Sequence, residues 1–325
     1  KIAKFYLVSQ PFKSLKFLKN FLHLPNIAES WMYDNVKGDI KIEELYAEYD
    51  LINNHIIENS IQGKAQIKDA KIRFHKDVDA VNTKSLDIFF KDNRLHFNLM
   101  EPMFKDKKLD GSFVLINNLT SEKNGQVDVF LKTNSKLDKD ILDILKAYNI
   151  TLPIIQKNGN TQASLLMKFP YDTTKNMSTY GEFFLNDAKV AINNFEFESK
   201  NAEVILDDSI IKIKNSDFKY KDMINATLNL NLDIKTLKSY GDANIKSFLI
   251  KEENKESLVE IKDKNTAIDL NFNNEVSILL KDLRTNIKIS DLIYVNIDDL
   301  SKIYPYSRLL KDNSIKEGNI ALQIK

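Results

Sequence analysis

From Pro170 to Pro305 the chain runs without a proline, and inside that span apolar and polar side chains alternate over one strand-length run after another. Proline cannot donate to a β ladder, so a long proline-free stretch with period two is what a continuous set of hydrogen-bonded strands requires. The runs GEFFLND, AKVAINNFEFES, SIIKIKNSDFKYK and MINATLNLNLDI carry the pattern. The part before Pro170 repeats it in GDIKIEELYAEYD, SIQGKAQIKDAKIRF, SLDIFF, RLHFNLM, GQVDVFLKT and NTQASLLMKF. The phase slips at Glu43-Glu44 and again at Lys68-Asp69, which predicts bulges there. Polar pairs and the Lys91-Asp92-Asn93 triplet separate the runs and supply turn chemistry. The gaps are too short for helical crossovers, so the pairing is expected to be antiparallel. Roughly twenty strands follow from this count.

Helical periodicity is confined to short segments. Phe12, Leu15, Leu18 and Leu22 fall on one face of Phe12 to Leu22, with Lys13, Lys16 and Lys19 between them. Two readings fit: a helix docked against a sheet edge or end, or a basic amphipathic helix resting on a membrane surface. A second helix is expected over Asp140 to Asn149 and a third after Leu300. Each lies near a proline turn and a glycine that opens a strand: Leu24-Pro25 with Gly38, Leu152-Pro153 with Gly159, and Pro305 with Gly318. The recurrence divides the chain into segments 1–139, 140–298 and 299–325 of one elongated architecture. Three short helices cannot roof so many strands. The apolar faces must therefore meet each other, curl around a cavity, or face a ligand.

Charge and composition remove several functions. The 47 Lys and Arg against 46 Asp and Glu leave a formal +1, which offers no general attraction to nucleic acid. The absence of cysteine excludes disulfides and thiolate chemistry. No run of apolar residues is long enough to span a bilayer as a helix. The chain begins without Met and stops inside the strand-like IALQIK, so an anchor or signal is expected upstream.

No catalytic pattern emerges. His23, His55, His75 and His96 are dispersed without metal-ligand spacing. Asp77, Asp79 and Asn82 lack the glycine and terminal glutamate of a calcium loop. Nucleophile-elbow and phosphate-loop motifs are absent. The pairs Asp207-Asp208 and Asp298-Asp299 sit at expected turns or a helix start, where carboxylates cap amides. The triplets Asn118-Leu-Thr120 and Asn225-Ala-Thr227 read as chance in so Asn-rich a chain. No enzyme activity, metal or cofactor is expected.

The order of features from Leu24 to Leu119 resembles the periplasmic AsmA-like superfamily, in particular its YhdP-type branch. The points of resemblance are Leu24-Pro25, Trp31, Gly38, Gly63 with its Ala-x-Ile strand, Asp69-Ala-x-Ile-x-Phe and Leu109-Asp-Gly-Ser-Phe. The restart from Leu152-Pro153 to Gly159 and the phrase GEFFLNDAKVAI from Gly181 to Ile192 continue it. The resemblance implies a mainly β protein with an extended, curved antiparallel sheet, groove-like or taco-like, and a few short flanking helices. It also implies an inner-membrane anchor upstream, a periplasmic location in a Gram-negative envelope, and transport of phospholipid toward the outer membrane.

A lipid conduit of this kind would use the inward face of its strands. In the first segment the candidates are Ile61, Ala65, Ile67, Ile72 and Phe74. In the second they are Leu165, Met167, Phe169, Phe183, Leu185, Val190 and Ile192, followed by Leu228, Leu230 and Leu232. Phe12, Leu15, Leu18 and Leu22 are candidates for an end cap or membrane contact. Phospholipids and envelope proteins are the expected partners, and nucleic acid is not. The alternative is a non-catalytic scaffold in which the same side chains are an ordinary packed core.

Overall fold

The computed structural model describes residues 1–20, 24–119, 121, 123–152, 154–192, 195–251, 257–273 and 275–324. Leu22, His23, Thr120 and Pro153 lie outside the described residues, as do the side chains of Leu18 and Ile192. The chain is mainly β, with extended antiparallel pairing and a few short helices. It separates into two compact units, one formed by 1–135 and 163–181 and the other by 136–162 and 182–325.

The first unit holds β1 (Ile2–Leu7), α1 (Asn26–Tyr33), β2 (Val36–Asp50), β3 (His55–Ile72), β4 (Val81–Lys91) and β5 (Arg94–Met100). A small hairpin of β6 (Met103–Phe104) and β7 (Lys107–Lys108) extends from β4, and β8 (Phe113–Asn117) and β9 (Gln126–Ser135) follow. Antiparallel pairing runs β1 to β2, β3, β4, β5, β8 and β9. Past α2 (Lys139–Ala147) come β10 (Ile154–Pro170) and β11 (Ser178–Ile192), which contribute residues to both units.

The second unit continues with β12 (Phe195–Asp207), β13 (Ile210–Tyr220), β14 (Ile224–Asp233), β15 (Lys238–Lys251) and β16 (Ser257–Asn271). Shorter strands β17 (Val276–Leu280), β18 (Thr285–Ile289) and β19 (Ile293–Ile297) precede α3 (Leu300–Ile303) and α4 (Arg308–Asp312), and β20 (Ile320–Ile324) returns beside β19. Each strand from β12 onward pairs antiparallel with its successor.

Local chemistry explains the joints. The β4–β5 turn places Asp92 and Asn93 at φ of 52° and 57°, the left-handed pair that a tight hairpin needs and that Asp and Asn tolerate. The bulge expected at Glu43-Glu44 is present, because the register slips between Ile42 and Glu44. The slip at Lys68-Asp69 is also present: Asp69 lies at φ 48°, and the register against β2 shifts between the pairs Lys37↔Lys71 and Asp39↔Lys68. Helix α2 begins at Asp138, whose carboxylate accepts from the amides of Asp140 and Ile141.

The structure aligns two stretches that form a short internal repeat: GKAQIKDAKI from Gly63 to Ile72 and GEFFLNDAKV from Gly181 to Val190. Each contains an Asp at positive φ six residues after its glycine, Asp69 at 48° and Asp187 at 45°. Each of these strands carries close beside it the glycine near the start of the preceding strand. A Cβ on Gly38 would lie 2.8 Å from the Lys68 carbonyl, and one on Gly159 would lie 2.4 Å from the Asp187 carbonyl. The two units are therefore opened by the same device, a left-handed bulge cradled against a glycine.

The helices differ from expectation in position. Helix α1 follows Pro25, which caps it from outside where its missing N–H costs nothing, whereas α2 precedes Leu152. The Leu-Pro turn is thus not a fixed landmark of the repeat. Phe12 to Leu22 is not one helix either. Phe12 exchanges two backbone hydrogen bonds of 2.8 Å with Ile40, which commits it to the sheet, and only Lys16–Asn20 forms a 3₁₀ turn.

Candidate functional site

Each unit contains an apolar trough. In the second unit the strand alternation sends Ala226, Leu228, Leu230 and Leu232 of β14 into the trough and Asn225, Thr227, Asn229 and Asn231 away from it. Phe183, Leu185 and Val190 of β11, Leu206 of β12 and Ile245 of β15 join the same lining. These floor residues are all buried. The helices of this unit are too short to cover so many strands, so the sheet must roll over on itself to bury its own inner face. The mouth is different. Phe197, Ala202, Val204, Ile213, Phe218 and Ile224 border the trough and are half-buried, so an apolar edge stays open to water. The enclosed space is about 180 Å³.

Little polar chemistry reaches this trough. Thr161 donates to the Gln156 side chain at 2.5 Å, and Ser216 donates to the Lys214 carbonyl at 3.0 Å. The buried hydroxyls of Ser199 and Ser239 have no hydrogen-bond partner among the described residues. Asp217 is held by Lys246 at 2.9 Å.

The first unit has a roomier trough of about 680 Å³. Its floor is Ile40 and Ile42 of β2, Ala65 and Ile67 of β3, Ile88 of β4 and Phe97 of β5. Helix α1 stands at one end, where Trp31 meets Phe74 and Phe97 edge-on or tilted at 5.6 and 6.5 Å. The rim is charged and balanced. Lys16 and Asp34 both border the trough and pair at 2.8 Å, while Lys64 and Lys13 border it and pair with Glu43, at 2.8 Å, and with Asp39, which lie outside the lining. The hydrogen bond from Lys16 holds the Asp34 carboxyl below its ordinary range. Burial and the neighbouring Glu29 push the Tyr33 hydroxyl up to about 12, so it stays neutral.

Of the lining candidates read from sequence, Ala65 and Ile67 border the first trough, and Phe183, Leu185, Val190, Leu228, Leu230 and Leu232 border the second. Ile72, Leu165 and Met167 are buried elsewhere, and Ile61, Phe74 and Phe169 are half-buried without bordering either trough. The Ile192 side chain lies outside the described residues. Leu15 borders the first trough, while Phe12 packs on Phe17 at 5.6 Å. Sequence reasoning passed over Phe197, Ala202, Ile213 and Ile224, although the same period-two alternation marks them.

Among the described residues no group of His, Asp and Glu is arranged to hold a metal ion, and no helix is long and apolar enough to cross a membrane. A family model described as YhdP protein matches residues 23–316. No curated protein and no solved structure matches the chain.

Proposed function

The chain belongs to the YhdP family, and from that premise we propose that it binds phospholipid through its acyl chains and passes it along apolar β troughs in the bacterial envelope. The observation that carries this reading is the first trough, with an apolar floor under a rim of Lys–Asp and Lys–Glu pairs. That combination matches an amphipathic ligand. Methylenes leave water at about 0.8 kcal/mol each, while a zwitterionic headgroup meets both signs of charge at the rim. The second trough offers an apolar surface with few polar contacts, so chains held there find no fixed polar anchor and can slide. No covalent step is needed, and membership of the family supports placing the chain in the envelope, anchored to a membrane.

A fluorescent fatty acid titrated into the protein tests the reading. We expect saturable binding, displacement by phospholipid, and no displacement by the water-soluble glycerophosphoethanolamine headgroup. Binding in the second trough should be flat across neutral pH, because the lining described above contains no histidine. Displacement by the headgroup alone would refute the assignment of binding energy to the apolar floor.

A further inference from the structure

Strand β4 accompanies β3 only as far as the pair Gly63↔Phe90. Residues 46–62 of the β2–β3 hairpin continue past that point with β1 beside them, paired from Ile2↔Asp50 to Leu7↔Leu45. The result is a three-stranded tongue. Of the seventeen large apolar side chains exposed among the described residues, seven belong to it, which makes it the densest exposed apolar surface of the first unit.

Their placement is informative. Phe5 and Leu7 lie on the face that carries Leu45, Ala47 and Tyr49, whereas Ile2 and Tyr6 lie on the opposite face, and Val8 follows just past the strand. Leu51 and Ile52 form the tip, 50% and 75% exposed, and the Leu51 amide donates to the Lys1 carbonyl at 2.9 Å. A partner strand added to the sheet edge would cover neither the tip nor both faces. A lipid surface surrounds a projecting tip on all sides. Behind the tip stand Tyr6, Tyr46 and Tyr49, the amphipathic ring type favoured at the headgroup level, with charges of both signs beside them, Lys1 and the pair of Lys4 with Glu48 at 3.6 Å.

Depth is limited by charge. The Asp50 carboxylate accepts from the Ile52 and Asn53 amides at 2.8 and 3.2 Å, which keeps it ionised and holds the turn in shape. A charged turn at the tip is compatible with interfacial insertion and opposes a full crossing. Leu45 also borders the first trough, and Leu7, Ala47, Phe5 and Tyr49 continue its face to the tip. We propose that this tongue docks shallowly in a lipid bilayer surface and forms the point where the trough exchanges lipid with it. The docking stands on the tongue itself, and the exchange role rests on the conduit reading above.

The test uses the full chain and vesicles of phosphatidylcholine with and without phosphatidylglycerol. The wild-type chain should co-sediment with both kinds of vesicle, because Lys1 and Lys4 of the tongue are balanced by Glu48 and Asp50. The double variant Leu51→Asp, Ile52→Asp should lose at least about tenfold in partitioning, because two exposed apolar contacts become charges without disturbing any packed core. The emission of an Ile52→Trp variant should shift to the blue on vesicles and be quenched by lipids brominated in the chain. Unchanged partitioning of the double variant, or absence of that quenching, would overturn the docking. So would a lipid-independent self-association that the double variant abolishes, which would make a second copy the occupant. Fatty-acid titration separates the two readings: if the double variant still binds while vesicle partitioning proves independent of the tip, the conduit stands and the tongue proposal falls. If the wild type docks but binds no acyl chain, the reverse holds.

Discussion

A Gly159→Val variant should lose about 4 kcal/mol of stability, seen as a large drop in the urea midpoint of the second unit's transition. Two terms add. Gly159 sits at φ 83°, where a β-branched residue is strained by roughly 1–3 kcal/mol. A Cβ there would also lie 2.4 Å from the Asp187 carbonyl, 2.7 Å from the Asn186 carbonyl and 2.7 Å from the Ala188 Cα. These are backbone atoms that cannot rotate away, so relief requires the strand to shift, at a further cost of roughly 1–3 kcal/mol. Gly318→Ala is the comparison. Its φ of 116° is also unfavourable, but its nearest neighbour would be a Leu300 methyl at 3.7 Å, so only the backbone strain of roughly 1–3 kcal/mol applies. Equal midpoints for Gly159→Val and the wild type would mean that the cradle between β10 and β11 is not as described.

An Ala202→Trp variant should abolish acyl-chain binding in the second trough while leaving the first trough intact, so that fatty-acid titration loses one class of site. Ala202 borders the trough and is half-buried at its mouth, which leaves room for an indole to lie across the opening without entering the packed floor. The stability change should stay within about 1 kcal/mol, as for substitutions outside a packed core. Asn201→Trp places the same ring one residue away on the opposite face, where Asn201 is exposed, and should leave binding unchanged. Equal loss in both variants would point to a general effect of the added indole. No loss in either would mean that the mouth is not the route of entry.

Much of the fold was legible because period two is a strong local signal. The alternation along β14 marks which side chains face inward, and the phase slips at Glu43-Glu44 and Lys68-Asp69 mark bulges that the β2–β3 pairing contains. What alternation cannot supply is which inward residues meet a cavity and which meet each other. Ile72 and Met167 alternate as cleanly as Leu230, yet neither borders a trough, because curvature is set by many small twists and bulges summed over strands. Helical signals misled for a related reason. The Leu and Lys spacing from Phe12 to Leu22 fits a helix, but Phe12 is paired with Ile40, and a pairing partner distant in sequence overrides local periodicity. Helix α1 went unread because eight residues, Asn26–Tyr33, give too few turns for a period to show. Its Trp31 carries no periodic signal, although it packs beside the first trough's Phe97.

The central claim is that acyl chains lie against the inward face of the sheet, and strand β14 offers the sharpest place to test it. A phospholipid with a photoreactive group near the end of one acyl chain would be bound, irradiated, and its adducts mapped residue by residue by mass spectrometry. The account predicts adducts at alternate positions, on Ala226, Leu228 and Leu230 and on the mouth residues Ile213 and Ile224, with none on Thr227, Asn229 or Asn231. Adducts spread evenly over both sets, or confined to residues outside the troughs, would contradict it.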